Sequence, residues 1–151
     1  MLLAAEPFLH LEVELDTILH LGPTPYGDRR IIPILGGRFS GPRLSGRIVA
    51  GGADWQLVRG DEVAELEARY TLETASGERI FVRSDGLRHG PPEVMARLAR
   101  GEFVEPSAYY FRTVLRFETA SEHLGWLNRI LTVASGRRDP RAVHLDVYEV
   151  L

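Results

Sequence analysis

Among the side chains that could do chemistry, His89 has the position best suited to proton transfer. It stands immediately before a predicted helix over residues 91–100, where the positive end of the helix dipole favours neutral imidazole at physiological pH. Neutral imidazole accepts a proton or a substrate hydroxyl group, so we predict that His89 is a catalytic acid or base. The alternative is that His89 caps the helix or packs on Tyr109.

A second candidate lies in the segment GGADWQ (51–56), where Asp54 precedes the large aromatic side chain of Trp55. A carboxyl group beside such a ring can lose part of its hydration, which raises its pKa toward the range useful for proton transfer. The alternative is that Asp54 forms an Asx turn while Trp55 packs in the core. These two interpretations stay open.

The segment YYFRT (109–113) has the alternation of a β-strand, so its side chains point to two opposite faces. Tyr109 and Phe111 belong to the more apolar face, which we assign to the interior, and there Tyr109 could orient a substrate carbonyl group. Arg112 belongs to the polar face, where it is a candidate for substrate binding or for a salt bridge. A bulge near residues 109–110 would exchange the two faces.

Other side chains would complete a small-molecule pocket. Trp126 and Asn128 share a predicted strand face and would supply an aromatic wall and a hydrogen-bonding amide, with core packing as the alternative for the indole. Arg38, beside two glycines, could bind a carboxylate or be solvated. The predicted substrate-binding residues are therefore Trp55, Tyr70, Arg38, Phe111, Arg112, Trp126 and Asn128.

Several kinds of site are not indicated. The five histidines are scattered without ligand spacing, so no metal is predicted, and without cysteine there is no thiol nucleophile. The sequence contains no GxSxG elbow and no dinucleotide fingerprint. The glycine-rich segment 36–42 lacks a following Gly-Lys-Ser/Thr, so it indicates a bulge and turn and not a phosphate loop. We therefore predict that no cofactor is needed.

The composition is that of an ordinary globular chain. Its 151 residues are 44% hydrophobic and 26% charged, which predicts one domain over residues 1–151. The net charge of −3 with dispersed arginines gives no reason to expect nucleic acid as a partner. No segment has the pattern of a signal peptide or a membrane span, so a cytoplasmic location is predicted. A homo-oligomer is expected on general grounds.

The elements that must position these residues are mostly strands. One helix is predicted over residues 91–100, because two prolines suit its first turn and Gly101 suits its C-terminal end. Alternating apolar residues predict long strands over residues 8–19, 63–74 and 108–119, a hairpin over 44–59 turning at Gly51-Gly52, and closing strands over 127–135 and 142–151. About eight or nine strands favour an antiparallel up-and-down β-barrel, with a sandwich as the alternative.

Several phrases, in order along nearly the whole chain, are similar to those of a known family. They are PILGGRFSGPRLSG (33–46), GGADWQ (51–56), ARYTLET (68–74), GLRHGPPEVMARL (86–98), YYFRT (109–113) and WLNRILTV (126–133). Together they resemble the small bacterial proteins grouped as domain of unknown function 3237. The resemblance implies a calycin-like or allene-oxide-cyclase-like β-barrel. That wider barrel group includes both cofactor-free cyclases or isomerases and plain ligand carriers.

The leading hypothesis is a cofactor-independent enzyme that acts on a small apolar or aromatic carbonyl compound by acid/base chemistry, as an isomerase, cyclase or lyase. His89, Asp54 and Tyr109 would handle protons in a barrel pocket. One alternative is a non-catalytic barrel that binds a small hydrophobic ligand. The other is a structural protein whose charged strand face forms oligomer contacts.

Overall fold

The structure is a computed structural model that describes residues 1–151, and its strands form one antiparallel sheet. The strands are β1 (Leu9–Leu15), β2 (Leu19–Thr24), β3 (Gly27–Ser40), β4 (Gly46–Val58), β5 (Ala64–Thr74), β6 (Arg79–His89), β7 (Tyr110–Thr119), β8 (Leu131–Arg138) and β9 (Ala142–Val150). Helix α1 (Pro92–Ala99) connects β6 to β7, which agrees with the predicted helix. Two short 3₁₀ helices cover Pro106–Ala108 and Gly125–Arg129.

The sheet closes into a barrel because β1 pairs with β9 along one edge and with β3 along the other. Val13, for example, lies opposite Val143 of β9 and opposite Gly37 of β3. Eight strands make the closed barrel, and β2 is an additional strand paired with the first half of β3. The predicted mainly-β antiparallel barrel with one short helix is therefore confirmed.

Closure depends on the close approach of β1 to β3 at Gly37. This residue has a φ of +134°, and a Cβ atom added to it would lie 1.9 Å from the carbonyl oxygen of Glu12. Only glycine therefore fits at this contact. A register shift between Pro33 and Gly37 also reverses which side chains face inward, from Ile32 and Ile34 before it to Phe39 after it.

Three predicted boundaries are wrong. The strand predicted over residues 8–19 ends at Leu15, and β2 begins at Leu19. The predicted hairpin at Gly51-Gly52 is one continuous strand, β4, in which the two glycines lie within a register shift between Val49 and Ala53. Gly51 has a φ of +111°, so its conformational freedom makes a bulge and not a turn. The strand predicted over residues 127–135 begins only at Leu131, after a 3₁₀ helix.

The barrel interior is apolar at one end and polar at the other. On β7 the inward side chains of Phe111, Thr113, Leu115 and Phe117 are buried, while the residues between them are exposed. The apolar end contains Leu9, Leu11, Leu72, Ile80, Val82 and Leu115. The opposite end, where β6 ends and β4 ends, lies beside α1 and carries charged side chains. At eight residues α1 is far shorter than a membrane span, and no helix here could cross a membrane.

Candidate functional site

The barrel encloses a cavity of about 50 Å³ near its polar end. Apolar side chains such as those of Ile32, Leu66 and Phe111 form most of its wall. Polar side chains from different strands also reach the cavity, among them Asp54, Gln56, Tyr70, Thr113, Arg88 and Arg138. An apolar wall with a few converging polar groups is the usual composition of a small-molecule site.

Asp54 faces this cavity because it lies opposite inward residues on both neighbouring strands, Ile32 of β3 and Ala68 of β5. Its Oδ1 atom accepts a hydrogen bond of 2.8 Å from the backbone N–H of Glu67, and its Oδ2 atom lies 3.3 Å from the donor Nε2 of Gln56.

Burial raises the pKa of the Asp54 carboxyl above its ordinary value, against the opposing effects of the Glu67 hydrogen bond and nearby arginines. A buried carboxyl group with a raised pKa is a stronger base than an ordinary aspartate, which suits it to accepting a proton from a bound molecule.

Two hydroxyl groups beside Asp54 have no hydrogen-bond partner. The Tyr70 side chain is only 3% exposed, and its hydroxyl is unpaired, as is the Oγ1 atom of Thr113. Burial, with the charge of Asp54 as a smaller cause, raises the pKa of Tyr70 above its ordinary value, so the phenol keeps its proton at neutral pH. Buried hydroxyls in folded proteins are normally satisfied, so these two are available to a bound molecule.

The cavity meets a larger mouth at the arginines. The mouth has a volume of about 440 Å³ and lies under α1, with Met95 and Leu98 in its wall. Arg88 and Arg138 line both the mouth and the cavity. These two side chains therefore lie at the boundary between the mouth and the cavity.

Three of the residues predicted from the sequence lie inside the barrel near this site. Asp54, Tyr70 and Phe111 line the cavity together. Tyr109 is buried, but its hydroxyl accepts a hydrogen bond of 3.0 Å from the backbone N–H of Arg138 and so has a structural partner already.

His89 and Trp55 lie on the outer surface of the barrel. Strand β6 continues through His89, so alternation points Arg88 inward and His89 outward, where its ring stacks on Tyr110 with centroids 4.9 Å apart. Trp55 is next to the inward Asp54 on β4 and is 40% exposed. The expected convergence of His89 with Asp54 and Tyr109 on one cavity is therefore not found.

The other four predicted residues are also away from the cavity. Arg38 is exposed and pairs with Glu12 at 2.6 Å, and Arg112 donates to the backbone carbonyl of Phe111 on the outer face. Trp126 and Asn128 lie on the 3₁₀ helix Gly125–Arg129 and not on a strand. The amide of Asn128 makes two hydrogen bonds with the backbone of Thr119, while Trp126 lies under the guanidinium of Arg43.

Sequence reasoning missed the arginines of the site. Arg88 has the same strand parity as the buried Ser84 and Val82, and Arg30 has the same parity as the buried Ile32. The signal was a charged residue on the otherwise apolar face of a strand, at the end nearest the helix. Gln56, which is fully buried opposite Arg30, is an uncharged polar residue in a similar position.

The fold and the cavity define the class of protein as a small closed β-barrel with polar side chains gathered at one end of its interior. The sequence profile of the family described as protein of unknown function (DUF3237) matches residues 3–150, and the chain belongs to this family. It is 42% identical to the UPF0311 protein blr7842 of Bradyrhizobium diazoefficiens over 141 residues, which are 93% of this chain and 92% of that protein.

Solved structures of similar proteins have the same fold. The crystal structure of a protein of unknown function from Rhodopseudomonas palustris superposes with a TM-score of 0.92 at 40% identity, covering 99% of this chain and 97% of the other. A beta-barrel like protein from Acinetobacter baumannii gives 0.84 at 42% identity, covering 97% and 95%. An enzyme from Penicillium herquei, 16% identical with a TM-score of 0.62 over 95% and 96%, shares the fold alone.

Proposed function

We propose that this protein is a cofactor-independent enzyme that transfers protons on a small carbonyl compound. One observation carries the proposal: the Asp54 carboxyl, whose pKa burial raises, shares a mainly apolar cavity with the unpaired, buried hydroxyl of Tyr70. A base of adjusted pKa and a hydrogen-bond donor in one apolar space are what enolisation requires.

In the proposed reaction, the Asp54 carboxylate takes a proton from the carbon next to the carbonyl group. The electron pair of that C–H bond forms a C=C bond, and the carbonyl π pair moves to the oxygen. Tyr70 donates a hydrogen bond to this oxygen, and the nearby Arg88 stabilises its negative charge. Reprotonation at a different carbon of a conjugated enolate gives isomerisation. Attack by the enolate carbon on an electrophilic carbon of the same molecule gives cyclisation. Expulsion of a leaving group from the β carbon, with its bonding electron pair, gives elimination, which is the lyase reaction.

The fold is compatible with this proposal but does not carry it. One distant barrel neighbour is described as an enzyme, and at 16% identity the likeness concerns architecture. Unrelated reactions recur on the same fold, so the argument rests on the cavity residues themselves.

Exchange of α-protons into deuterated water tests the reaction without knowledge of the natural substrate. A panel of enolisable aryl and alkyl ketones is followed by NMR with the parent protein and with Asp54→Asn and Tyr70→Phe. We expect the parent to accelerate exchange of at least one ketone, and Asp54→Asn to lower that rate by about 100-fold or more. His89→Ala is the matched control, because His89 lies on the outer face. If Asp54→Asn exchanges as fast as the parent, this mechanism is wrong.

The second candidate function is a non-catalytic barrel that binds a small ligand. It is favoured by the largely apolar cavity wall, in which 10 of 16 residues are hydrophobic. Saturable binding of a panel ketone without any accelerated exchange would support this carrier over the enzyme.

A further inference from the structure

Three arginines meet where the internal cavity joins the mouth under α1. Arg30 of β3, Arg88 of β6 and Arg138 of β8 all line the mouth. They come from separate parts of the chain. Arg138 and Arg30 both lower the pKa of Arg88, and Arg30 also lowers the pKa of Arg138, which places the three guanidinium groups close together. Arg88 is only 6% exposed, so this cluster is part of the barrel interior and not of the solvated surface.

Three carboxylates lie near the cluster, but none of them pairs directly with its arginines. None of the three arginines forms an ion pair within 4.0 Å, whereas outer arginines do, as Arg69 does with Asp85. The carboxylates that act on the cluster are Asp54, which faces all three arginines, together with Asp28 near Arg30 and Asp139 near Arg138. Asp139 is already bonded to His144 at 2.8 Å, and Asp28 is exposed.

Burial and the other two arginines lower the pKa of Arg88 to about 10, which still leaves it charged at neutral pH. Holding three cations together in a partly dehydrated space costs free energy, and a bound anion would offset that cost.

The unpaired hydrogen-bond donors of the three arginines also indicate that the cluster favours a bound anion. The side-chain nitrogens of Arg88 and Arg138 make no hydrogen bond within the protein, and the buried Nε of Arg30 has no partner although its Nη2 atom contacts Gln56. A guanidinium group presents a planar fork of donors that matches a carboxylate in pairs of parallel hydrogen bonds.

Apart from the three arginines, His20 and Glu62, the residues that line the mouth are apolar or glycine. Pro92, Met95 and Leu98 of α1 lie on one side and Ile18 and Val58 on the other, around a volume of about 440 Å³. Such a wall favours an apolar body attached to the anionic group. The cavity of about 50 Å³ behind the arginines has room for a small group only.

We propose that Arg30, Arg88 and Arg138 bind the carboxylate of a small organic anion whose apolar part lies under α1. If the bound anion is the substrate of the proposed reaction, then the substrate is an acid that also carries a carbonyl group. This part of the inference rests on the proposed function. As a statement about binding, the inference is independent of any reaction.

Calorimetric titration with simple carboxylates and their neutral amides tests the inference. Benzoate is compared with benzamide, and hexanoate with hexanamide. We expect saturable binding of at least one carboxylate, with the matching amide weaker by roughly tenfold or more. Arg88→Met should weaken carboxylate binding by about tenfold or more, whereas Arg83→Met, an exposed residue of the same strand, should leave it unchanged. Equal binding of carboxylate and amide, or no saturable binding of either carboxylate, would overturn the inference.

Two further measurements cover an Arg88 variant that does not fold. Arg138→Met changes a less buried member of the cluster and should weaken binding in the same direction. Benzoate should also raise the Tm of the parent protein progressively with its concentration, and by more than an equal concentration of chloride does. Inorganic phosphate is titrated in parallel, and binding of phosphate without binding of either carboxylate would contradict the assignment to a carboxylate.

The failure of this inference can be told apart from the failure of the proposed function. Asp54→Asn keeps all three arginines and should still bind benzoate. If it binds benzoate and also catalyses α-proton exchange like the parent, the anion site stands while the role of Asp54 in proton transfer is wrong.

Discussion

Asp54 differs from the surface carboxyl groups in the direction in which its surroundings move its pKa. Hydrogen bonds from Arg59 lower the pKa of Asp61 to about 2, and arginines likewise lower the pKa of Glu73. Burial raises the pKa of Asp54 although arginines lie near it. A charged Asp54 is therefore unfavourable for the fold, and such a cost is typical of groups retained for function.

Replacement of Asp54 by asparagine is expected to stabilise the protein in a pH-dependent way. Because the folded pKa of Asp54 is raised, its neutral form contributes stability that is complete below the ordinary value of 3.8 and is lost as pH rises through the folded pKa. Asparagine stays neutral, so the Tm of Asp54→Asn relative to the parent should increase as pH rises from the ordinary value of 3.8 through the raised folded pKa.

Asp61→Asn is a control for which the change in Tm with pH, relative to the parent, should have the opposite sign. The depressed folded pKa of Asp61 gives stability that is present above the ordinary value and lost as pH falls through about 2, so this variant should lose Tm relative to the parent as pH rises. A pH-independent difference between Asp54→Asn and the parent would contradict the raised pKa.

The two buried tyrosines give a second prediction. Tyr70→Phe removes a hydroxyl that has no partner, so the free energy of unfolding should stay the same or rise by up to about 1 kcal/mol. Tyr109→Phe removes the acceptor of the Arg138 backbone N–H and should lower the free energy of unfolding by about 1–3 kcal/mol. Urea denaturation measures both, and a loss at Tyr70 as large as that at Tyr109 would show that the Tyr70 hydroxyl is bonded within the protein.

At the scale of elements, the contact between β1 and β3 is the point at which the sheet becomes a barrel. Gly37 is needed there because its backbone lies against that of Glu12 in a conformation that other residues rarely adopt. The same register shift turns Ile32 and Ile34 inward, and Ile32 pairs with Asp54. The register shift in β3 therefore helps to determine which side chains of β4 face the cavity.

Gly37→Ala is expected to lower the free energy of unfolding by roughly 2–3 kcal/mol or more, from the positive φ together with the clash with Glu12. Gly60→Ala is the matched control, because an added Cβ meets no atom within 4 Å there and the change should be within about 1 kcal/mol of neutral. Thermal and urea unfolding of the two variants test this difference. Similar stability in both would mean that β1 does not approach β3 this closely.

At the scale of the whole molecule, the barrel divides stability and chemistry between its two ends. The apolar end holds fully buried side chains such as Leu72, Ile80 and Leu115. The polar end holds a cavity, unpaired hydroxyls and a cluster of arginines. The close packing of the apolar end thus compensates for the unfavourable burial of polar groups at the other end.

Leu115→Ala is expected to lower the free energy of unfolding by about 2–5 kcal/mol, because Leu115 is completely buried and its truncation leaves a void. Val114→Ala, the adjacent and exposed residue of β7, should change it by less than about 0.5 kcal/mol. Urea denaturation compares the two. Equal losses would contradict the inward assignment of Leu115.

The homo-oligomer and the cytoplasmic location remain predictions. Exposed apolar side chains on the outer face of β6 and β7, among them Phe81, Leu87 and Val114, are compatible with a contact between copies of the chain. Light scattering at working concentration measures the mass in solution, and a monomer would contradict the predicted oligomer.

The fold could be predicted from the sequence where the determining pattern is local. Alternation along β5 and β7, and the two prolines and the glycine that bound α1, each act over a few residues. The hairpin expected at Gly51-Gly52 was wrong because a positive φ suits a bulge as well as a turn. The choice between them depends on pairing with β3 and β5, which lie elsewhere in the chain.

The site was less predictable for the same reason. Tyr70 and Phe111 could be selected by type and strand parity, and Asp54 by its place beside Trp55. His89 was misplaced because the sequence does not show that β6 continues to it. A shift of one residue in strand length or register moves a side chain from one face of a sheet to the other. The inward or outward orientation of residues at strand ends is therefore the hardest to predict from the sequence.

The amino-acid sequence alone determined a mainly-β chain with one short helix, because the period of two and the helix-bounding residues are properties of neighbouring positions. Only the tertiary structure decided that Asp54 and Tyr70 line one cavity with Arg88 and Arg138, and that these two arginines also line the mouth with Arg30. That convergence depends on the closure and the register of strands far apart in the chain, and no local pattern specifies either.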